Sequence, residues 1–404
     1  MTAITPDSGD ILNYFDTGGN PLTRFQMAQA AACATAMMGP MESEDKARQA
    51  QAKLSTYIRE LYDDVLCDVF RTDPERMREA TRHAMAVLEF QQHQMPYASL
   101  EETSIEFRDR GTDDPEFLST RLIDVGSDAE VESFSRNPTH WDVIRSLGYT
   151  WLTPKEMPTH SMLCELIRAE GRNSDFEQFI ADMLEPFCAH GPYGAIVDGV
   201  QNIKFGAPVD HFELGGIADS ARQLRDIICF AFSNQIRNYI LSLPRRVPKR
   251  VVIDEVGAFV RFPSGPEILR QMFTQYRKFN CWVLIGLQQV EQLAHGGVLA
   301  EIVGNTKMFF LMNNSQRDLD QLDPFIQLPP ATKEMIRGFG DPKRDGFSSF
   351  CYVHLGESGR PMITAGQLHA NKELLVCTTG DDLLRKRILR SPDVTQEIVK
   401  CAEE

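Results

Sequence analysis

The chain has 404 residues, of which 42% are hydrophobic and 25% are charged. This balance is typical of a folded protein with enough length for two or three domains, so a largely disordered chain is not expected. The formal net charge of −15 disfavours a surface that wraps nucleic acid, and the sequence holds no strong signal for direct nucleic-acid binding.

The sequence also predicts no transmembrane segment and no zinc site. It holds no run of 18 apolar residues and no secretory leader pattern. Its nine cysteines and nine histidines form no CxxC pair, no HExxH motif and no local Cys/His cluster. We therefore expect buried free thiols in a reducing compartment, and zinc is not expected.

The first half of the chain is predicted to be mainly helical. A short extended piece over 11–16 leads into helical patterns over 22–38, 43–70 and 71–94, and the polar stretch 97–114 is interpreted as a loop. Capping-box spacings at Thr153–Glu156 and Ser174–Glu177 predict helices over 154–170 and 175–189. We interpret residues 1–21 as a remnant of an α/β core and residues 22–190 as an inserted all-α subdomain.

The pattern changes to alternating strands and helices after residue 190. Strands are predicted over 195–198, 209–214, 250–254, 281–287 and 307–312, with helices over 220–243, 266–279 and 298–304. This alternation predicts a parallel, three-layered α/β domain over 191–380. Strands over 349–354 and 361–364 are expected to form an edge hairpin, and 381–404 a charged C-terminal helix.

The most informative motif is Asp254-Glu255, which follows the apolar run Arg250–Ile253. Many P-loop NTPases place a magnesium-organising Asp and a water-activating Glu in this way, at the carboxyl edge of a parallel sheet. An acid pair at this point can also do no more than cap the next helix.

The predicted strand over 281–287 strengthens the interpretation as a nucleotide site. It ends in Gln288, whose carboxamide can contact a γ-phosphate and the attacking water. Arg277 precedes this strand and is either a solvated helix-end cation or an arginine finger that reaches into a neighbouring subunit. Arg317, Arg337 and Arg360 are further candidate phosphate contacts that no spacing pattern supports.

The phosphate-binding loop of such an enzyme is missing from the sequence. No GxxxxGK[ST] motif occurs, and no glycine is followed by Lys. The backbone nest and the lysine that hold the β- and γ-phosphates are therefore absent from these 404 residues.

Several sequence blocks resemble the large cytoplasmic ATPases of conjugative type IV secretion systems, the TraC/TrbE type of the HerA/FtsK superfamily. In chain order, the blocks with this resemblance are 13–16, 191–199, 212–217, 252–255 and 287–289. The resemblance spans residues 11–380. Val256-Gly257 replaces the Ala-Trp that usually follows the acid pair, which puts the local packing in question.

The resemblance implies a RecA-like P-loop NTPase core that carries a large all-α insertion. It implies that Asp254 is the Walker B acid that holds Mg through water, that Glu255 is the catalytic carboxylate, and that Gln288 is the sensor. Arg277 matches the arginine upstream of the fourth core strand. ATP and Mg would be the cofactors, provided that missing sequence or a partner supplies the Walker A loop.

The implied assembly is a homo-hexamer that contacts type IV secretion inner-membrane components. It would be cytoplasmic and peripheral to the bacterial inner membrane. The chain is interpreted as the C-terminal motor domain for conjugal transfer or pilus assembly, in a truncated or split form that is inactive alone. The alternatives are a DNA translocase like the type IV coupling proteins and a non-catalytic ring or interaction subunit.

Overall fold

A computed structural model describes residues 2–3, 9–41, 43–114, 117, 125–172, 174–213, 222–261, 264–356, 361–377 and 382–403. The chain divides into two compact units, Met1–Gly286 and Leu287–Glu404. The mixed α/β fold class with a parallel sheet is confirmed. The domain boundaries at 21, 190 and 380 stay predictions. No helix in the described residues is both long enough and apolar enough to cross a membrane.

The first unit is mostly helical up to residue 197. Its helices there are α1 Arg24–Met37, α2 Glu44–Thr72, α3 Pro74–Gln94, α4 Leu100–Asp113, α5 Asp128–Arg136, α6 Trp141–Gly148, α7 His160–Glu170, α8 Asp175–Leu184 and α9 Gly194–Val197. Short 3-10 turns cover Pro138–His140, Tyr149–Trp151, Pro154–Glu156 and Glu185–Phe187.

The core of this unit contains residues 11–16, which the sequence predicts to be extended but which turn at Tyr14 and Phe15, where the Asp16 N–H donates to the Asn13 carbonyl at 3.1 Å. The Tyr62 hydroxyl donates to the Phe15 carbonyl at 2.9 Å, and the Tyr149 hydroxyl donates to the Tyr62 carbonyl at 2.8 Å. The rings of Tyr62 and Tyr149 meet edge to face with centroids 5.1 Å apart. Each buried hydroxyl thus has a hydrogen-bond acceptor, which removes the cost of burying it.

The first unit also contains two pairs of parallel strands. The short pair β1 Thr2–Ala3 and β2 Phe212–Glu213 is parallel, and so is the pair β3 Lys249–Ile253 and β4 Cys281–Ile285, which run in register. Its helices are α10 Arg222–Ser242, α11 Val256–Val260 and α12 Gly265–Gln275, with a 3-10 turn over Tyr276–Phe279. Asn280 adopts a left-handed φ of 53° and lets the chain turn directly into β4.

The two faces of the β3–β4 pair differ. Lys249 and Cys281 begin the inner face, and both are buried. The outer face is exposed, with Val252 64%, Trp282 57% and Leu284 57% exposed. Because side chains alternate along a strand, the outer face is also the one on which Asp254 follows Val252.

The second unit contains an antiparallel sheet. Strand β5 Met308–Leu311 pairs with β6 Ser348–Leu355, which pairs with β7 Pro361–Leu368. Its helices are α13 Glu291–His295, α14 Leu299–Asn305, α15 Gln316–Ile326, α16 Pro330–Arg337, α17 Pro342–Asp345, α18 Lys372–Cys377, α19 Asp382–Arg390 and α20 Val394–Glu403. Leu319, Ile336, Cys351 and Val353 are fully buried in its core.

The structure corrects several predicted elements in the helical part. Residues 100–113 form a helix and not a loop, because Ser99 and Glu102 make a capping box and Ile105 and Phe107 are buried. Residues 194–197 form a helical turn in place of a strand. The capping box at Thr153 is present, but it opens only a 3-10 turn, since Pro158 forces the preceding residue into extended backbone.

Further corrections concern helix ends and sheet pairing. Helix α8 ends at Leu184, two residues before Pro186, and the predicted terminal helix is broken at Pro392 into α19 and α20. Strand β5 joins an antiparallel sheet and does not continue the parallel one. The predicted hairpin of β6 and β7 is confirmed. The predictions at Leu214–Ser220 and at Arg360 lie outside the described residues.

Candidate functional site

Asp254 and Glu255 lie directly after β3, at the carboxyl edge of the parallel pair. Both side chains are exposed, so both carboxylates are accessible to a ligand. The Asp254 Oδ1 atom accepts the Glu255 backbone N–H at 3.0 Å. The Glu255 N–H thus engages only one of the two Asp254 oxygens.

Glu255 has an unusual backbone conformation, with a φ of 49°. A residue other than Gly is uncommon in the left-handed region, and such residues cluster at functional sites. The conformation is maintained by the next residue: the Val256 N–H donates to the Gly286 carbonyl at 2.9 Å, and the Val256 side chain is fully buried. The Val256-Gly257 sequence is therefore well packed here, and it fixes the turn that presents Glu255.

Gly286 forms the opposite side of this turn. Its N–H donates to the Ile253 carbonyl at 2.9 Å, which extends the ladder between β3 and β4 by one bond. A Cβ atom at this position would lie 3.1 Å from Asp254 Oδ1. Glycine thus leaves room for the carboxylate of Asp254. The sequence analysis missed this residue, although a Gly at the end of an apolar strand is a signal of close backbone approach.

Arg277 lies at the other edge of the parallel pair. It is exposed within the 3-10 turn Tyr276–Phe279, which leads into the amino end of β4. Strand β4 has five residues, so its length of about 17 Å separates Arg277 from the carboxyl edge. Arg277 and Asp254 therefore do not meet within one chain. Its neighbour Lys278 pairs with Glu102 at 3.1 Å.

Gln288 belongs to the second unit and lies three residues after the end of β4. Its side chain is exposed and lines a polar surface pocket of about 340 Å³ with Asn313, Ser315, Arg317 and Asp318. Asp318 is 7% exposed, and it accepts the Val290 N–H at 2.8 Å and the Ser315 hydroxyl at 2.5 Å. The pocket brings Gln288 close to Arg317, a residue that the sequence offered without a supporting pattern.

Arg317 is held at the pocket by an ion pair with Glu291. Helix α15 begins next to it, with Ser315 as its N-cap: the Ser315 hydroxyl accepts the Asp318 N–H at 3.2 Å. The pocket is polar. Hydrogen-bond donors from Gln288, Asn313 and Arg317 line it together with acceptors from Glu291 and Asp318.

No protein-family profile matches the chain, and no curated protein matches it. Similar solved structures include VirB4 of Thermoanaerobacter pseudethanolicus, with 15% identity and a TM-score of 0.44 over 71% of this chain and 72% of that chain. The unbound conjugative coupling protein TrwBdeltaN70 has 12% identity and a TM-score of 0.30, over 91% and 66%.

TrwB in complex with the non-hydrolysable GTP analogue GDPNP has 14% identity and a TM-score of 0.36, over 91% and 73%. Because these TM-scores are low, we argue the site and the function from the residues of this chain. The structures that resemble this chain are thus a VirB4 protein and a conjugative plasmid coupling protein, TrwB.

Proposed function

We propose that the chain is the hydrolytic half of an ATP-driven motor for conjugative type IV secretion. The observation that carries this proposal is the geometry of Asp254 and Glu255. Two accessible carboxylates follow a strand that runs parallel to and in register with its neighbour, and Glu255 is held in a left-handed conformation. This is the position in which P-loop NTPases hold their hydrolytic carboxylates.

The two carboxylates would have separate roles. Asp254 would hold the water shell of Mg²⁺ with the oxygen that the Glu255 N–H does not use. Glu255 would orient the attacking water and accept its proton as the water oxygen bonds to the γ-phosphorus. The bond between the γ-phosphorus and the β,γ-bridging oxygen would break in the same step, with ADP as the leaving group and phosphate as the second product. Bound Mg·ATP would supply the phosphoryl group and the charge that Mg²⁺ neutralises. A pair of exposed carboxylates suits this hard cation.

Arg277 and Gln288 complete the proposal in different ways. The length of β4 separates Arg277 from the carboxyl edge of the β3–β4 pair in the same subunit. Arg277 would therefore act only on a nucleotide bound to a neighbouring subunit. This requires a ring, and we propose a homo-hexamer. Gln288 would sense the γ-phosphate from the segment that follows β4.

The 404-residue polypeptide by itself should not hydrolyse ATP, because its sequence has no GxxxxGK[ST] loop to hold the β- and γ-phosphates. The test is a steady-state assay of magnesium-dependent ATP hydrolysis by the purified chain, with Glu255→Gln as the matched blank. We expect equal background rates. Hydrolysis that Glu255→Gln abolishes would show that another part of the chain holds the phosphates, and the claim of a missing cradle would then be wrong.

We place the working protein in the cytoplasm, at the inner membrane, through contacts with other components of the secretion system. A coupling-protein role would add binding of DNA, which the net charge of −15 disfavours. A gel-shift titration with single- and double-stranded DNA at physiological salt distinguishes the secretion motor from the coupling-protein role, because only a DNA translocase must bind DNA.

A further inference from the structure

A second group of reactive side chains lies in the helical part of the first unit. The ligand atoms of His160, Cys164 and Cys188 all lie within 4.8 Å of one another. These three residues are 0%, 1% and 2% exposed. Soft sulfur and imidazole ligands in such a group are the ones that zinc prefers.

The fold brings these residues together from two segments. His160 and Cys164 are four residues apart in α7, so they lie on the same face of the helix. Cys188 follows the 3-10 turn after α8, and its carbonyl accepts the Gly191 N–H at 2.7 Å. A Cβ atom on Gly194 would lie 1.9 Å from that carbonyl oxygen. The glycine therefore lets the chain close over Cys188.

The distance between the Cys164 sulfur and the His160 Nε2 atom fits two ligands of one tetrahedral metal ion. The Cys164 Sγ atom lies 3.6 Å from His160 Nε2. An ion with bonds of about 2.3 Å to sulfur and about 2.05 Å to nitrogen, at the tetrahedral angle, separates these two atoms by about 3.6 Å. The observed distance between these two atoms therefore equals the one that a shared zinc ion requires.

His160 is oriented by a second residue, as metal-bound histidines are. Its Nδ1 atom lies 2.7 Å from the Tyr14 hydroxyl, and its Nε2 atom lies 3.0 Å from the Leu184 carbonyl oxygen. Because a carbonyl oxygen can only accept, Nε2 carries the proton in the metal-free protein and Nδ1 accepts from the Tyr14 hydroxyl. Metal binding at Nε2 would shift the proton to Nδ1, which would then donate it to Tyr14. The Leu184 carbonyl oxygen would lose its hydrogen bond and would be a candidate fourth ligand.

The charge of the group also favours a cation. The hydrogen bond from Cys164 holds the pKa of the Cys188 thiol below its usual value, and contacts with His160 and Ser161 act in the same direction. A buried thiolate is costly unless a positive charge compensates it. Zinc binds cysteine as the thiolate, so uptake of the ion would release thiol protons.

We propose that His160, Cys164 and Cys188 bind one zinc ion in a closed structural site. The ion would join the start of α7 to the segment after α8. It would also fix Tyr14 through His160, so the turn within residues 11–16 would be stabilised by the same site. The proposal differs from the sequence-based expectation of no zinc, because the three side chains lie far apart in the sequence and come together only in the folded protein.

The test is metal binding by the full chain. The reduced protein is stripped with a chelator and titrated with Co²⁺, whose tetrahedral thiolate complexes give strong visible and near-ultraviolet bands, and Zn²⁺ is then added as a competitor. We expect about one Co²⁺ per chain, with sulfur-to-cobalt bands that Zn²⁺ removes. X-ray absorption of the zinc form should show two sulfur ligands together with nitrogen or oxygen.

Variants assign the site to its residues. Cys188→Ser should weaken Co²⁺ binding by more than about 100-fold, and Tyr14→Phe by about 10- to 100-fold. The matched control is Cys229→Ser, because Cys229 is also 2% exposed and lies outside the group; this variant should bind like the unaltered chain.

Failure of the reduced, unaltered chain to take up either metal at micromolar concentration would overturn the proposal. Equal binding by Cys188→Ser and Cys229→Ser would overturn it too. X-ray absorption by the unaltered chain does not depend on how well a variant folds, so a zinc shell without sulfur would contradict the assignment in any case.

Discussion

The contact between Arg76 and Glu156 gives a quantitative prediction for the helical part. The Arg76 guanidinium binds both carboxylate oxygens of Glu156, at 2.6 and 3.2 Å, and the Thr153 N–H and hydroxyl donate to the same carboxylate at 2.8 and 2.9 Å. The side chains of Arg76 and Glu156 are 20% and 30% exposed. The contact joins α3 to the turn before α7.

Arg76 is the main reason why the pKa of Glu156 is lowered from 4.5 to about 2. This lowering of the pKa corresponds to roughly 3 kcal/mol of stabilisation at neutral pH. Screening by water at these partly exposed side chains reduces this, so we expect Glu156→Gln to lower the free energy of unfolding by about 1–2 kcal/mol at pH 7.

The pH dependence has a definite sign. Because the folded pKa is lowered, the stabilisation is fully present above pH 4.5 and is lost as the pH falls towards 2. About three quarters of it should remain at pH 4, and less than about half at pH 3. The difference between the original chain and Glu156→Gln should therefore shrink as the solution is acidified.

The assay is urea unfolding at pH 7, 4 and 3, followed by tryptophan fluorescence, since Trp141 and Trp151 lie in this part of the chain. The control is Glu44→Gln, an exposed helix-surface glutamate whose i,i+4 partner is Arg48; it should change the stability by less than about 0.5 kcal/mol. A Glu156→Gln difference that is the same at all three pH values would refute the reasoning.

Two further predictions concern glycines. Gly194→Ala should lower the free energy of unfolding by more than about 3 kcal/mol, or prevent folding, because the new Cβ atom would lie 1.9 Å from the Cys188 carbonyl oxygen. Thermal melting measures this loss. The control is Gly304→Ala, at a helix position where a new Cβ atom meets nothing within 4 Å, and this variant should show no such loss. Gly286→Val should displace the Asp254 carboxylate, 3.1 Å from the new Cβ atom, and lower the frequency of conjugal transfer by at least about 10-fold. Its thermal midpoint should stay close to that of the unaltered chain, because Gly286 is exposed; normal transfer would contradict the role given to this turn.

The sequence predicted the strands of the candidate site closely, because apolar runs that end in polar residues are a local signal. The pattern at 250–254 became β3 with the acid pair at its end, and the pattern at 281–287 became β4. The left-handed conformation of Glu255 has no such signal, since it depends on Val256 and Gly286.

Other features depended on distant contacts that a single sequence does not reveal. Strand β5 has the same apolar pattern as β4, and only its pairing with β6 makes it antiparallel. Cys188 comes 24 residues after Cys164, at no spacing typical of a metal motif, and folding alone brings the two together. The helix over 100–113 does not depend on distant contacts in this way, because the spacing of Ser99 and Glu102 is itself a capping-box signal in the sequence.

The most direct test of the motor assignment is the frequency of conjugal transfer from cells whose only copy of this gene encodes Glu255→Gln. The control is Glu267→Gln, another exposed glutamate, which lies on α12 and pairs with Arg270. If Glu255 activates water for ATP hydrolysis, its substitution should lower transfer by about 10²- to 10⁴-fold, and the control should not. Transfer at the normal frequency with Glu255→Gln, and also with Gln288→Ala, would contradict the motor and indicate a non-catalytic subunit of the ring.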